Sequence, residues 1–465
     1  MENTEKSVLF EQMPVPRAAR RLMIPTILSS LVMVIYSMAD TYFVGRLNNP
    51  IENSAVTLAA PVLLAFNAVN NLFGVGSSSM MSRALGQQDF DKVRKSSAFG
   101  FYCSLACGLA MSLLCTAFFQ PLLRMLGADS ETLAATAAYM KWTVLFGAAP
   151  SILNVVIAYL VRAEGSALHA SIGTMSGCVL NMILDPIFIM PWGLGMGASG
   201  AGLATFVSNC TACCYFFVLL YVKRRTTYVS IRPKDFKWKK EIVKGVCGVG
   251  IPASIQNLLN VTGMTLLNNF TAAYGPDAVA AIGIVQKIYM VPMQIAMGSS
   301  QGVMPLVGYS YSAKNYGRMK ETVLFIARVM VPIMLISSVF CYFRAEWLVG
   351  LFMKKEEIVH YGRIFLRADS LAMTFLAVDF LAVGVFQAIG MGKKSLVFAV
   401  LRKIVFEIPA LIVLNGLFGV NGIAYAAFVA EFMLALCAVY MLRRIFKNLM
   451  PGKTAMRQEA QNEKV

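Results

Sequence analysis

The sequence predicts an all-α, polytopic membrane protein with twelve transmembrane helices in two six-helix bundles related by a parallel internal repeat. Hydrophobic residues make up 57% of the 465 residues and charged residues only 14%, whereas a soluble domain usually carries about 25% charged residues. Apolar runs long enough to cross a bilayer recur along the chain. The second half also repeats the pattern of the first.

The net charge of +17 lies mostly in short loops between the apolar runs. A basic chain could bind nucleic acid, but this distribution is instead the positive-inside pattern of an inner-membrane protein. We therefore expect a multi-pass protein of the bacterial plasma (inner) membrane, with both termini cytoplasmic and no nucleic-acid partner.

Twelve spans are predicted, over 20–45, 54–82, 96–119, 132–161, 168–190, 199–222, 245–273, 278–309, 320–343, 358–388, 396–416 and 421–446. They divide the chain into a cytoplasmic N-terminal segment (1–19), an N-terminal bundle (20–222), a basic cytoplasmic linker (223–244), a C-terminal bundle (245–446) and a cytoplasmic tail (447–465).

The two halves resemble each other segment by segment. "MIPTILSS" at 23–30 matches "GIPASIQN" at 250–257, and "GQQDFDKVRKS" at 86–96 resembles "SAKNYGRMKET" at 312–322. Each half holds six spans, so both halves enter the membrane in the same sense. Repeats of this kind are related by an axis along the membrane normal, and the substrate route usually lies between them.

Four of the polar side chains within the apolar spans of the N-terminal half, those of Asp40, Asn181, Asp185 and Thr205, carry oxygen atoms at related positions. Asn181 and Asp185 are four residues apart, so they share one face of the fifth span. Topology places Asp40 near the outer end of span one, Asp185 near the outer end of span five and Thr205 near the outer start of span six. The four side chains therefore occupy a similar depth.

A carboxylate at the centre of a membrane helix costs about 2.5–3.5 kcal/mol on insertion scales, which favours a function for Asp40 and Asp185. The oxygen-bearing groups could coordinate Na⁺. Alternatively, the two carboxylates could share a proton, because close carboxylates in a low dielectric cannot both ionise cheaply. The structural alternative is that each Asp only hydrogen-bonds a neighbouring helix.

Pro25 and Pro186 lie inside the first and fifth spans. Each proline removes a backbone amide and frees a carbonyl one turn earlier, which permits a bend. Pro186 directly follows Asp185, and Pro25 lies 15 residues before Asp40. The two prolines are therefore candidate helix bends in gating, with structural kinks as the alternative.

Signals for catalysis are weak. "GSSQG" at 298–302 fits the pattern of a serine nucleophile, but only His360 is available as a partner for Ser300 in this half. "GKT" at 452–454 lacks the earlier Gly and the strand of a phosphate-binding loop. We therefore expect no enzyme activity, no cofactor and no ATPase subunit, so that uphill work uses an ion gradient.

Three motifs, "MADTYFVG", "LNMILDPIFI" and "GAGLAT", combine with the repeat into a recognisable pattern. Over 20–446 the chain resembles the multidrug and toxic compound extrusion (MATE) transporters of the MOP superfamily. Their bacterial multidrug-pump and DNA-damage-inducible branches are the most similar. The resemblance implies two bundles around a central cleft, and antiport of an organic cation against H⁺ or Na⁺.

The resemblance also implies a cation site in the N-terminal half and a bend of the first helix at Pro25. The matching positions for the coupling cation and the substrate are Asp40, Asn181, Asp185 and Thr205, with Tyr36 and Asn154 lining the same cavity.

The C-terminal half departs from this pattern. Other branches place a Glu on span seven, where this chain has Gln256. Asp379, Glu407 and Glu431 remain as candidate acids. We favour structural ion pairing for these acids, with a substrate or second-ion role as the alternative. The basic residues in the same bundle that could neutralise them are Lys287, Arg328, Arg363 and Arg367.

The function predicted is secondary active efflux of amphipathic organic cations, such as drugs and dyes, against H⁺ or Na⁺, by a monomer in the lipid bilayer. A flippase for lipid-linked precursors shares the helix layout, but it would need basic residues in the cavity to hold phosphates. An intramembrane serine hydrolase built on Ser300 is the remote alternative.

Overall fold

The computed structural model describes residues 7–450. The first six residues and positions 451–465, which include the "GKT" at 452–454 and most of the expected tail, lie outside the described residues. In the N-terminal half the long helices are α1 (Val15–Arg46), α2 (Pro50–Gly86), α3 (Phe90–Ala117), α4 (Leu133–Phe146 followed by Ala148–Ala163), α5 (Ala167–Ile189) and α6 (Gly197–Val222).

The C-terminal half repeats this order. Its helices are α7 (Lys240–Ala272), α8 (Pro276–Ser312), α9 (Tyr316–Phe343), α10 (Glu356–Ala388), α11 (Gly392–Val400, Leu401–Glu407 and Ile408–Phe418) and α12 (Val420–Leu449). Shorter helical segments are Val8–Gln12, Phe119–Met125, Pro233–Asp235 and Ala345–Gly350.

Ten of these helices, within residues 7–450, are individually long and apolar enough to cross a membrane. The two parts of α4 meet at a 49° bend, and they make an eleventh span when taken together. The remaining predicted span, 396–416, falls on α11. There a π-helical stretch, Leu401–Glu407, interrupts the helix, so that no regular segment of α11 exceeds 11 residues.

The internal repeat extends to the way equivalent helices begin. The side chain of Asp89 accepts from the backbone N–H of Lys92 at the start of α3, and Asn315 accepts in the same way from Arg318 at the start of α9, both at 3.0 Å. These caps satisfy amides that a helix leaves unpaired in its first turn. The preceding residues, Gln88 and Lys314, both adopt positive φ angles, of 57° and 59°.

Close helix approach through glycine joins the two halves. A Cβ added at Gly302 of α8 would lie 2.9 Å from the backbone oxygen of Leu22 on α1, and one at Gly250 of α7 would lie 1.9 Å from that of Leu72 on α2. Helix α8 packs on α1, and α7 packs on α2, so the two contacts are equivalent under the repeat.

The N-terminal segment contacts both halves on the face that carries the linker. Leu9 and Phe10 pack against Gly165 between α4 and α5. Phe10 also stacks on Tyr309 of α8 with ring centroids 4.7 Å apart, and the Tyr309 hydroxyl donates to Glu11 Oε1 at 2.5 Å. The short helical segment Val8–Gln12 therefore forms part of the packed structure.

Candidate functional site

The buried centre of the N-terminal half is a hydrogen-bonded unit on α5. Asn181 and Asp185 lie one turn apart, with exposed fractions of 2% and 0%. With its amide nitrogen turned toward Asp185, Asn181 donates to Asp185 Oδ2 at 2.8 Å and accepts from the backbone N–H of Thr205 at 3.1 Å. The same amide lies 3.4 Å from Thr205 Oγ1. Asn181 thus connects the Asp185 carboxylate to α6.

Small residues bring α6 close enough for this contact. A Cβ at Gly200 would lie 2.5 Å from the backbone oxygen of Phe188 at the end of α5, and one at Gly202 would lie 2.9 Å from that of Tyr139 on α4. On α5, a Cβ at Gly177 would lie 3.2 Å from the backbone oxygen of Ser208. The "GAGLAT" stretch therefore sets the position of Thr205 by allowing three helices to meet.

Helix α1 brings Tyr36 and Asp40 to the same place. The Tyr36 side chain lies beside that of Thr205 and within electrostatic range of Asp40 and Asp185. The two carboxylates also interact with each other electrostatically. Asp185 is fully buried, whereas Asp40 is partly exposed. The structure therefore brings together five of the predicted residues, which we call the acidic cluster: Tyr36, Asp40, Asn181, Asp185 and Thr205.

Tyr139 is a neighbour of the acidic cluster that the sequence analysis missed. It is buried on α4 and interacts electrostatically with both Asp40 and Asp185. The order of the predicted spans could have identified it, because Tyr139 lies near the outer start of the fourth predicted span, at the depth assigned to Thr205. A phenol at this position adds a second hydroxyl that can face a cation.

Asn154 lies outside the acidic cluster. Its side-chain nitrogen donates to Asn209 Oδ1 at 2.9 Å and to the backbone oxygen of Pro150 at 3.0 Å. Asn209 is one turn along α6 from Thr205. The two asparagines therefore form a separate bridge between α4 and α6, one turn away from the acidic cluster.

The prolines lie inside continuous helices. Helix α1 runs without interruption through Pro25, and α5 continues three residues beyond Pro186 to Ile189. Pro186 follows the fully buried Asp185 directly. A gating bend at either proline stays a prediction.

Two of the C-terminal acids are ion-paired. Arg402 Nε donates to Glu431 Oε1 at 2.7 Å, and Lys403 Nζ donates to Glu407 Oε2 at 2.6 Å. The basic partners suggested by the sequence were wrong for these two acids. The bases that pair with them are instead Arg402 and Lys403, which both lie in the π-helical stretch of α11. Among the suggested bases, Arg363 instead faces Glu346 at 3.8 Å, and Arg367 Nε donates to the backbone oxygen of Tyr342 at 3.4 Å.

The other two C-terminal candidates, Asp379 and Gln256, lie in different parts of this half. Asp379 is 2% exposed and interacts with Glu431, and neither of its carboxylate oxygens has a hydrogen-bond donor within the described part of the chain. Gln256 accepts from Gln387 at 3.4 Å and lines a different cavity of about 160 Å³ between the two halves. The C-terminal half therefore lacks a counterpart of the acidic cluster at Gln256.

Ser300 has a packing role in the structure. Its hydroxyl donates to the backbone oxygen of Phe380 at 2.7 Å, and a Cβ at Gly384 would lie 2.1 Å from that hydroxyl. The small residues of "GSSQG" thus allow α8 and α10 to approach closely.

The acidic cluster presents two carboxylates, an amide, two phenols when Tyr139 is included, and a hydroxyl. Oxygen ligands of this kind suit a hard cation or a proton. An organic cation also finds both negative charge and aromatic faces here. The arrangement is thus chemically suited to bind a cation or a proton.

Comparison with known proteins gives one consistent result. The family model described as MatE matches residues 25–187 and again residues 252–413. The multidrug export protein MepA of Staphylococcus aureus (strain MSSA476) is 34% identical over 444 residues, which cover 94% of this chain and 96% of that protein. The protein of the same name from Staphylococcus saprophyticus is 33% identical with the same coverage.

Solved structures agree. An outward-facing conformation of a multidrug resistance MATE family transporter of the MOP superfamily superposes with a TM-score of 0.89 at 26% identity, covering 95% of this chain and 98% of that one. The match of the family model to both halves also confirms the internal repeat. The chain therefore belongs to the MatE family of membrane transporters, as its sequence motifs predicted.

Proposed function

We propose that this chain is a secondary active antiporter that exports amphipathic organic cations in exchange for H⁺ or Na⁺. The observation that carries the proposal is the acidic cluster, in which α1, α5 and α6 bring Asp40 and Asp185 together in the N-terminal half. The multidrug export proteins that share about a third of its sequence support the same substrate class.

The exchange follows from the cost of an unpaired buried charge. With Asp40 and Asp185 both ionised, the site is stable only when it holds a cation. One charge contact at 4 Å is worth about 4 kcal/mol at an effective dielectric near 20. A proton or Na⁺ that neutralises one of the two carboxylates removes enough of this attraction to weaken drug binding by about a hundredfold, since 1.4 kcal/mol is a factor of ten.

Asn181 keeps the site organised during that exchange. It donates to Asp185 and accepts from the backbone of Thr205, so a change in the charge of Asp185 acts on the contact between α5 and α6. Tyr36 connects the same Thr205 to α1. Binding of the coupling ion and binding of the drug are thus mutually exclusive at one set of side chains, so that uptake of the ion accompanies release of the drug, as antiport requires.

A flippase of lipid-linked precursors remains the second candidate, because it would use a similar helix layout. Its phosphate-bearing substrate needs basic side chains in the cavity, and the acidic cluster offers carboxylates instead. We therefore favour organic cations. We also propose that the protein works as a monomer in a bacterial plasma membrane, with both termini and the basic linker in the cytoplasm.

The experiment that tests this function is ethidium transport by the purified protein in proteoliposomes, with pH and Na⁺ gradients imposed separately. We expect uphill ethidium movement with at least one gradient in the wild type, and a loss of it in Asp185→Asn. Glu407→Gln is the matched control, because it neutralises a carboxylate of the C-terminal half. Absence of ethidium movement under both gradients would contradict the proposal.

A further inference from the structure

A basic cavity lies at the opposite end of the N-terminal half from the acidic cluster. It has a volume of about 440 Å³ and opens where α1 and α5 begin and α6 ends. Arg20 and Arg21 line it from α1, His169 from α5 and Lys223 from the end of α6. Since α1 and α5 run in the same direction, all four side chains lie on one face of the membrane.

The walls of this basic cavity favour an anion. No carboxylate is found among the described residues that line it. The buried carboxylate of Glu164, just before the lining residues Gly165 and Ser166, is already hydrogen-bonded: Oε2 accepts from the Thr227 hydroxyl at 3.0 Å and from the Tyr228 backbone at 2.9 Å, and Oε1 accepts from the Ser166 hydroxyl at 3.4 Å. Arg20 and Arg21 are both exposed, so an approaching ligand can reach their guanidinium groups.

An apolar surface continues from the basic cavity into the membrane. Ile24 and Leu28 of α1 are 49% and 50% exposed, and Leu168 and Ile172 of α5 are 56% and 37% exposed. In each helix the two residues are four apart, so they stand one above the other on one face. Helices α1 and α5 pack against each other, and Ile24 and Leu168 also line the cavity itself.

We propose that the basic cavity binds the headgroup of an anionic phospholipid, whose acyl chains lie along the exposed residues of α1 and α5. Basic pockets between helices suit the phosphate of such lipids, and the adjoining aliphatic track suits their chains. A small soluble anion would use only the first feature. An organic cation, the substrate class of the acidic cluster, would be repelled by Arg20 and Arg21.

The experiment measures lipid binding to the purified full-length protein in mild detergent by native mass spectrometry. The probes are dioleoyl-phosphatidylglycerol and dioleoyl-phosphatidylcholine, which share their chains and differ in charge. We expect the wild type to retain phosphatidylglycerol in preference. The double variant Arg20→Gln/Arg21→Gln should retain it about tenfold less, because each basic residue near a headgroup contributes to binding.

Matched variants distinguish binding at the basic cavity from a general attraction of anionic lipid to the positively charged protein. Lys237→Gln/Lys240→Gln removes two exposed charges from the linker side and should leave phosphatidylglycerol binding unchanged, as should Arg20→Lys/Arg21→Lys. If the glutamine variant of the arginines does not fold, Leu168→Gln/Ile172→Gln gives a second test, because it disrupts the exposed acyl track, keeps both arginines and should also weaken binding.

Three results would overturn the proposal. The first is equal retention of the two lipids by the wild type. The second is unchanged binding of phosphatidylglycerol in both Arg20→Gln/Arg21→Gln and Leu168→Gln/Ile172→Gln, or a loss of the same size in Lys237→Gln/Lys240→Gln. The third is displacement of phosphatidylglycerol by excess inorganic phosphate, which would assign the cavity to a soluble anion.

Discussion

Asn181 donates to Asp185 across one turn of α5, over 2.8 Å, and accepts from the backbone of Thr205 at 3.1 Å. One amide therefore bridges a buried carboxylate and the neighbouring helix. Because hydrogen bonds to charged groups contribute about 1.5–3 kcal/mol, this bridge stabilises the ionised form of Asp185 while it fixes α6 in place. The state of the carboxylate and the packing of two helices are consequently connected at a single residue.

Replacing that amide tests the connection. We expect Asn181→Ala to weaken ethidium binding by about tenfold or more, because Asp185 then loses its donor and the bridge from α5 to the Thr205 backbone is lost. Asn154→Ala removes the same side chain from the bridge to Asn209, outside the acidic cluster, and should have a smaller effect. Fluorescence titration of ethidium with both purified variants checks this. A larger effect at Asn154 would place the binding site one turn along α6.

The approach of α5 and α6 depends on Gly200. We expect Gly200→Ala to destabilise the protein by about 1–3 kcal/mol, the usual cost of overpacking, because the added Cβ would lie 2.5 Å from the backbone oxygen of Phe188. Gly283→Ala is the control, since a Cβ there has nothing within 4 Å. Thermal unfolding in detergent compares the two. Equal unfolding midpoints for Gly200→Ala and the wild type would show that the helices can separate at no cost.

The Arg402–Glu431 pair in the C-terminal half has a stabilising role. Glu431→Leu leaves a buried guanidinium without its carboxylate, so we expect a loss of about 3–5 kcal/mol in the free energy of unfolding. The double variant Arg402→Met/Glu431→Leu removes both charges and should regain much of that loss. Thermal unfolding again provides the measurement. If the single variant is as stable as the wild type, Arg402 has another partner.

The orientation of the chain follows from its basic loops. We expect Lys237→Cys, an exposed linker position, to resist a membrane-impermeant maleimide in intact cells and to react after lysis. The wild type, with its ten native cysteines, serves as the background control. Labelling of the linker in intact cells would reverse the orientation and place the acidic cluster at the inner rather than the outer end of the N-terminal half.

The depth of each side chain along its helix was predictable from the sequence. The direction in which each helix turns that side chain was not. The order of the spans and the 1.5 Å rise per residue are enough to place Asp40, Asp185 and Thr205 at one depth. The partner of Asn154 depends on how α4 turns toward α6, which packing decides. Tyr139 was missed for the same reason, although its position near the start of the fourth predicted span is compatible with the depth of Thr205.

The ion pairs of the C-terminal half were not predictable from the sequence either. A π-helical stretch changes which residues share a face, and none of the sequence signals that we used marks one in α11. The pairing of Arg402 with Glu431 therefore could not be derived from ordinary helical spacing. The hydrogen bond from Thr227 of the linker to Glu164 was likewise not predicted, because the two residues are 63 positions apart and no sequence pattern connects them.

The central claim is that the Asp40–Asp185 pair is a removable charge that holds the drug, and ethidium affinity measured from about pH 5 to 8, with and without Na⁺, tests it most directly. Protonation neutralises carboxylates as the pH falls, so in the proton version wild-type affinity should fall by about a hundredfold toward acid pH. In the Na⁺ version it should fall on adding Na⁺. Asp40→Asn should keep its fold and lose this modulation. Wild-type affinity that is flat with pH and indifferent to Na⁺ would contradict the account.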